Sequence, residues 1–388
     1  MTAILLTGAR VVAANGVLDP GWVRIDKGRI VAVAAGDPVP APRGQTVVHL
    51  HRQWLLPGLV DIHVHGGGGN SFASSDPDEA IAAVGFHRRN GTTRMLASLA
   101  TASLADLSRS LAVLAELTDD GLLAGVHLEG PFLASSRCGA QDPRHLQRPD
   151  EDALVGLLRT GRGAVRVVTV APELPGALQL IRRAVDAGVI AAFGHTDATY
   201  EQTMAAIDAG ATVATHLFNG MRPIHHREPG PVLAALCRPE VICELIADGV
   251  HLHEAVIAHV VRSAGPHRVA LITDAILAAG MPDGAYRFGA LDIEVEAGVA
   301  RLTDGGSLAG STLTAGGALR RAVNEIGLSV EDAVQAAAST PAALLGVQGR
   351  AGVISPGADA DLIVCGDNME LAAVMVHGTW VDGAAPRP

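Results

Sequence analysis

Four residues able to bind a metal or move a proton stand where four separate apolar runs stop: Glu129 after GVHL, His195 after AAFG, His216 after VAT and Asp274 after VALIT. A further pair, His63 and His65, follows PGLVDI. Imidazole nitrogens and carboxylate oxygens hold zinc-like divalent ions, and a catalytic site of that kind keeps one coordination position open for water. A carboxylate beside such a water can take its proton and later hand it to a leaving group. The pattern reads as metal-assisted hydrolysis. The His-x-His triplet alone would be weak support, because a second one, His251-Leu252-His253, occurs in the same chain.

Residues this far apart in sequence meet only if their strands run side by side and end on one rim. Apolar runs fall near 55–62, 92–97, 122–128, 165–170, 189–193, 212–215, 241–247 and 268–273, eight in all. Helix signals separate them. Asp76-Pro77-Asp78-Glu79 offers a cap and a proline for the first turn, and Asn90-Gly91 a stop. Ala177, Ile181, Ala184 and Val185 follow the helical period up to Gly188. Eight apolar strands alternating with helices predict an α/β fold, a (β/α)8 TIM-type barrel, whose active site lies at the carboxyl ends of the strands. Residues 4–50 and the tail instead carry short β-rich runs with turn signals. The chain is thus expected to divide into 1–54 and 351–388, two parts of one small β-sandwich domain, around a barrel at 55–350. Within the barrel, a hairpin turning near Ala297-Gly298 and helices from Thr314 and Ser329 follow the eighth strand.

On the first strand His63 and His65 share a face. Glu129 ends a buried strand, where an unpartnered carboxylate would cost several kcal/mol, so a metal or a structural arginine bridge is required. His127 lies one pleat deeper and reads as a packed residue. His195 and His216 end adjacent strands; Asp274 ends the strand beside the first, where a helix cap is the alternative role. Gly66 to Gly69 lacks a following Gly-Lys-Ser/Thr and reads as a flexible loop, not a phosphate cradle. The four cysteines have no C-x-x-C spacing, which points to a reducing cytoplasm; Cys138 reads as lining or gating the site. A net charge of -11 disfavours nucleic acid and anionic membranes as partners, and no apolar run approaches a membrane span.

Taken in order, HxHG, HLEGPF, GHTDA, THLFNGM, REPG, ADGVH, TDA and SLAGS resemble the amidohydrolase superfamily, and within it the N-acetylglucosamine-6-phosphate deacetylases. The resemblance covers nearly the whole chain. It implies hydrolysis of the acetamide of a sugar phosphate, in amino-sugar catabolism and cell-wall recycling, with Glu129, His195 and His216 on a primary metal and Asp274 as base and acid. His63 and His65 would hold a second ion with Glu129 shared, so one or two divalent ions per subunit are expected, zinc first and iron, manganese or cobalt as alternatives. The superfamily's carbamylated lysine is missing from VRVVTVAPE, in keeping with a glutamate in its place. For the substrate, the resemblance implies amide donors at Asn219 and Gly220, a hydroxyl or phosphate contact from His251, and Leu308 near the acetyl group. Arg227 would reach the phosphate from a neighbouring subunit, which implies a homodimer. Many members carry a histidine in the loop after HLEGP; here Gln141 stands at that position, with Cys138 in the same loop, which is expected to close over substrate. The alternatives are another amidohydrolase, a cyclic amidase or N-acyl deacetylase, or a non-catalytic barrel scaffold.

Overall fold

In the computed structural model, which describes residues 3–38, 44–383 and 385–386, the apolar runs become strands. Barrel strands one to eight are Leu59–Asp61, Thr92–Ala100, Gly125–Glu129, Val165–Val170, Ile190–Phe193, Ala211–Ala214, Ile242–Ile246 and Val269–Ile272, hydrogen-bonded in chain order. Strands two to eight pair in parallel. A parallel sheet covered on both faces needs strands that are apolar throughout. Accordingly, every residue of strands three and eight is buried. The ring closes beyond the strand ends: the Asp274 N–H donates to the His63 carbonyl at 2.9 Å, and the His65 and Gly66 N–H groups donate to the Ala275 carbonyl at 2.7 and 3.0 Å. The seam of the barrel therefore runs through three candidate site residues.

The run read as one strand over 55–62 is two. Trp54–Pro57 pairs with Ile4–Ala13 and with Leu362–Cys365, whereas Leu59–Asp61 joins the barrel ladder. Gly58 marks the changeover, and a Cβ there would lie 2.3 Å from Thr93 Oγ1, so the strands approach this closely only with glycine.

Both chain ends build a second eight-stranded sheet, ordered Thr379–Trp380, Leu371–Val376, Leu362–Cys365, Trp54–Pro57, Ile4–Ala13, Gly16–Asp26 and Arg29–Ala35, with Thr46–His49 also on Ile4–Ala13. Ile4–Ala13 changes partner along its length, pairing residues 4–7 with Thr46–His49 and residues 10–11 with Trp54–Pro57. The ladder is thereby continuous around a core of Leu6, Val23, Ile30, Leu55, Leu362 and Met375.

After strand eight, Gly284–Phe288 adds a third strand to the hairpin Leu291–Glu296 and Val299–Leu302, which turns at Ala297-Gly298. Ile293, Val295 and Ala300 pack there with Ile276, Ala278 and Ala309. Thr314 and Ser329 cap the helices Ala315–Asn324 and Val330–Val334, each hydroxyl accepting from the N–H three residues on. Gly66–Gly67, expected to be a flexible loop, pairs with Asn70–Ser71 as a short hairpin. The chain divides into two compact units, Met1–Asp61 with Phe86–Arg94 and Thr314–Pro388, and Ile62–Gly85 with Met95–Leu313. Every candidate site residue belongs to the second.

Candidate active site

The six strand-end residues converge as two triangles of donor atoms. In the first, His195 Nε2 lies 2.9 Å and His216 Nε2 3.0 Å from Glu129 Oε1, and the two nitrogens are 3.0 Å apart. In the second, His63 Nε2 and His65 Nε2 are 3.2 Å apart and lie 3.5 and 3.3 Å from Asp274 Oδ1. Glu129 faces both, with Oε1 3.5 Å from His63 Nε2 and Oε2 3.3 Å from His65 Nε2. All six side chains are buried. Among the described residues neither alternative reading holds: the carboxylate of Glu129 meets histidines and no arginine bridge, and no helix begins at Asp274 for it to cap.

Three of these residues have left-handed backbone conformations, His195 at φ 46°, His216 at φ 30° and Asp274 at φ 49°. Side chains with a Cβ adopt this region at a cost, and such outliers cluster at functional sites. The turn at each strand end aims its side chain into the barrel mouth.

Burial opposes charge on His63, His65 and His195, yet Glu129 and Asp274 outweigh it and raise all three above the ordinary imidazole value. Burial likewise opposes ionised carboxylates, and the histidines reverse that too: Glu129 is held well below its usual range, and Asp274, beside His63 and His65, falls to about 2. Positive charge is therefore what this cluster asks for. Two bare imidazole nitrogens 3.0 Å apart repel unless a proton or a cation lies against them. Ligands at 2.0–2.1 Å around a tetrahedral zinc-like ion stand roughly 3.3 Å apart, close to the edges of both triangles. The donor set fits a divalent cation at each.

Burial and the neighbouring His63 push His127 well below its usual value; its nitrogens meet Ser98 Oγ at 3.1 Å and Thr169 Oγ1 at 2.8 Å, so it packs beneath the site as a neutral ring. Missed in the sequence was Glu244, the one charged residue of ICELI, whose Oε2 accepts from His63 Nδ1 at 3.0 Å and from the His216 N–H at 3.1 Å. A lone carboxylate in an otherwise apolar strand was the signal for it. The Arg137 carbonyl similarly accepts from His195 Nδ1 at 2.9 Å.

A cavity of about 350 Å³ opens over the donors, lined by His65, Glu129, His195, His216 and Asp274 and by the expected Gln141, Asn219, Gly220, His251 and Leu308. His251 Nδ1 is 2.7 Å from Asp248 Oδ2, which orients the ring. Two residues differ from expectation. Gln141 has both ends of its amide engaged within the protein, donating to Glu129 Oε2 at 2.6 Å and accepting from the Thr101 N–H at 2.6 Å. Cys138 is half-buried between the lining residues Arg137 and Gly139 and is not itself in the wall. Arg227 is exposed, lies 2.8 Å from His226 Nε2 and borders a separate cavity with Arg222 and Tyr200.

A parallel barrel that presents histidine and carboxylate donors at its carboxyl rim is an amidohydrolase layout, and the chain belongs to the amidohydrolase family, whose profile matches residues 54–381. Within that family its similarity is to amino-sugar phosphate deacetylases. The N-acetylgalactosamine-6-phosphate deacetylase of Escherichia coli O157:H7 is 35% identical over 379 residues, 96% of this chain and 98% of that one. The N-acetylglucosamine-6-phosphate deacetylase of Bacillus subtilis (strain 168) is 33% identical, covering 97% and 96%. Among solved structures, an aspartate-to-alanine mutant of the N-acetyl-D-glucosamine-6-phosphate deacetylase from Mycobacterium smegmatis, in complex with N-acetyl-D-glucosamine-6-phosphate, is 46% identical. It superposes with a TM-score of 0.94 over 98% of this chain and 100% of that one. Among the described residues, no helix is long and apolar enough to cross a membrane.

Proposed function

We propose that this chain is a divalent-metal-dependent deacetylase that hydrolyses N-acetylglucosamine 6-phosphate to glucosamine 6-phosphate and acetate. The observation that carries this reading is the pair of donor triangles beneath one cavity, with Glu129 facing both. Glu129, His195 and His216 would hold one cation and His63 and His65, with Glu129 shared, a second, zinc being the first choice. When bound, a divalent cation supplies Lewis acidity, acidifying water and drawing charge from the acetamide carbonyl.

Asp274, ionised at neutral pH and beside His65, accepts the proton of the attacking water. The water oxygen bonds to the carbonyl carbon, the C–N bond breaks, and Asp274 returns the proton to the departing nitrogen, which leaves as the amine. Asn219, Gly220 and His251 orient the sugar phosphate from the cavity wall. Arg227, turned to solvent in its own subunit, is offered to the phosphate of a second copy in a homodimer. A cytoplasmic setting suits a phosphorylated substrate.

Asp274→Asn is expected to retain substrate binding while losing roughly 10²–10⁴-fold in kcat, measured as amine release; retention of more than about a tenth of the rate overturns the base assignment. Chelation should abolish turnover of the native protein and added zinc restore it. Equal kcat/KM on unphosphorylated N-acetylglucosamine would refute the phosphate reading, and faster turnover of the galacto epimer would reassign the sugar.

A further inference from the structure

Glu244 lies in the middle of barrel strand seven and is 1% exposed, while Cys243, Leu245 and Ile246 around it are fully buried. A carboxylate in such surroundings costs several kcal/mol unless its oxygens are engaged. Its Oε2 is engaged twice, by the ring Nδ1 of His63 and by the peptide N–H of His216, at 3.0 and 3.1 Å. Its own main-chain carbonyl takes the next N–H, that of Leu217, at 2.8 Å.

These two partners belong to different triangles. With its Nδ1–H given to a carboxylate, the His63 ring keeps its lone pair on Nε2, the atom that faces His65, Glu129 and Asp274. A ring held in this way is better aimed and more basic as a ligand. On the other side, His216 leaves its strand in a left-handed turn at φ 30°, and the two peptide N–H groups of that turn, His216 and Leu217, both end on Glu244.

We propose that Glu244 is a positioning residue that couples the two metal positions, setting the tautomer of His63 for the second ion through its side chain and the backbone of His216 for the first. This inference rests on the two-cation reading above. Glu244 meets the ring of His63 itself but only the backbone N–H of His216, so loss of the charge should weaken the second ion more than the first.

The test is stepwise zinc affinity of the full-length protein, by competition with a chromogenic chelator, for wild type, Glu244→Gln, His63→Ala and the double variant. Wild type is expected to take up two ions. E244Q should weaken the second by about 10–100-fold and the first by no more than a few-fold, and H63A added to E244Q should cost the second ion less than H63A alone costs wild type. Unchanged affinities, equal weakening of both ions, or additive losses overturn the proposal and leave the two-cation reading standing. Fewer than two ions in wild type overturns that reading and the proposal with it. Should E244Q not fold, the ring tautomer of His63 in wild-type zinc protein decides by nitrogen NMR: Nδ1–H is expected, and Nε2–H overturns the proposal.

Discussion

At the scale of single residues, the site depends on groups that never need to touch a substrate. Gln141 spans from the Thr101 N–H to the Glu129 carboxylate, which faces both donor triangles. A hydrogen bond to a charged group is worth about 1.5–3 kcal/mol, so Gln141→Leu should lower kcat/KM by roughly 10–100-fold, with metal content preserved in the purified protein. Steady-state kinetics beside metal analysis check this; unchanged kcat/KM would show that Glu129 is positioned without it. Gln141 was legible as a site position from its place in the loop, but not in this role. A side-chain amide presents a donor and an acceptor, and only the fold reveals that both are already taken. Glu244 escaped for a related reason: its strand reads as core, and the two partners that justify its charge stand 181 and 28 residues away.

At the scale of elements, the segment SLAGS acts as a clamp on the end of barrel strand eight. The Ser311 N–H donates to the Asp274 carbonyl at 2.8 Å, the Ile276 N–H to the Ser311 carbonyl at 3.0 Å, and Ser311 Oγ to the Thr273 carbonyl at 2.6 Å. Gly310, at φ +55°, fits because a Cβ would stand 2.7 Å from the Asp274 carbonyl oxygen and 2.6 Å from Ile276. Gly310→Ala should therefore lower the melting temperature, through overpacking of about 1–3 kcal/mol, and reduce kcat by tenfold or more, roughly, by displacing Asp274. Gly306→Ala is the control: that glycine also has positive φ, but open space around it. A loss of kcat equal in both would disprove the clamp. The barrel strands were readable because continuous burial leaves an apolar run, and the helix starts because Thr314 and Ser329 mark them. What the period could not show was the break at Gly58, where apolar residues continue unchanged while the chain passes from one sheet to the other.

At the scale of the whole molecule, a net charge of -11 gives no general attraction for the anionic sugar phosphate of the proposed reaction, whose binding would come from local donors. The buried cluster also links folding, protons and metal. Glu129 and Asp274 raise His63, His65 and His195 above the ordinary imidazole value, so in metal-free protein these rings hold their protons to higher pH, and an incoming cation must compete with those protons. Zinc uptake should release about one proton or more per ion, and apparent affinity should rise with pH. Calorimetry in buffers of different ionisation enthalpy measures this, and buffer-independent heats would contradict it. Bound metal should also raise the melting temperature, by about 2.7 kcal/mol of stability at a hundredfold excess over Kd. The left-handed turns at His195, His216 and Asp274 bear on any attempt to improve this protein. Each disfavours a residue with a Cβ by about 1–2 kcal/mol, and glycine or asparagine would relieve it. Directed evolution for heat resistance alone would therefore be drawn to the three positions where the gain in stability is the loss of the enzyme.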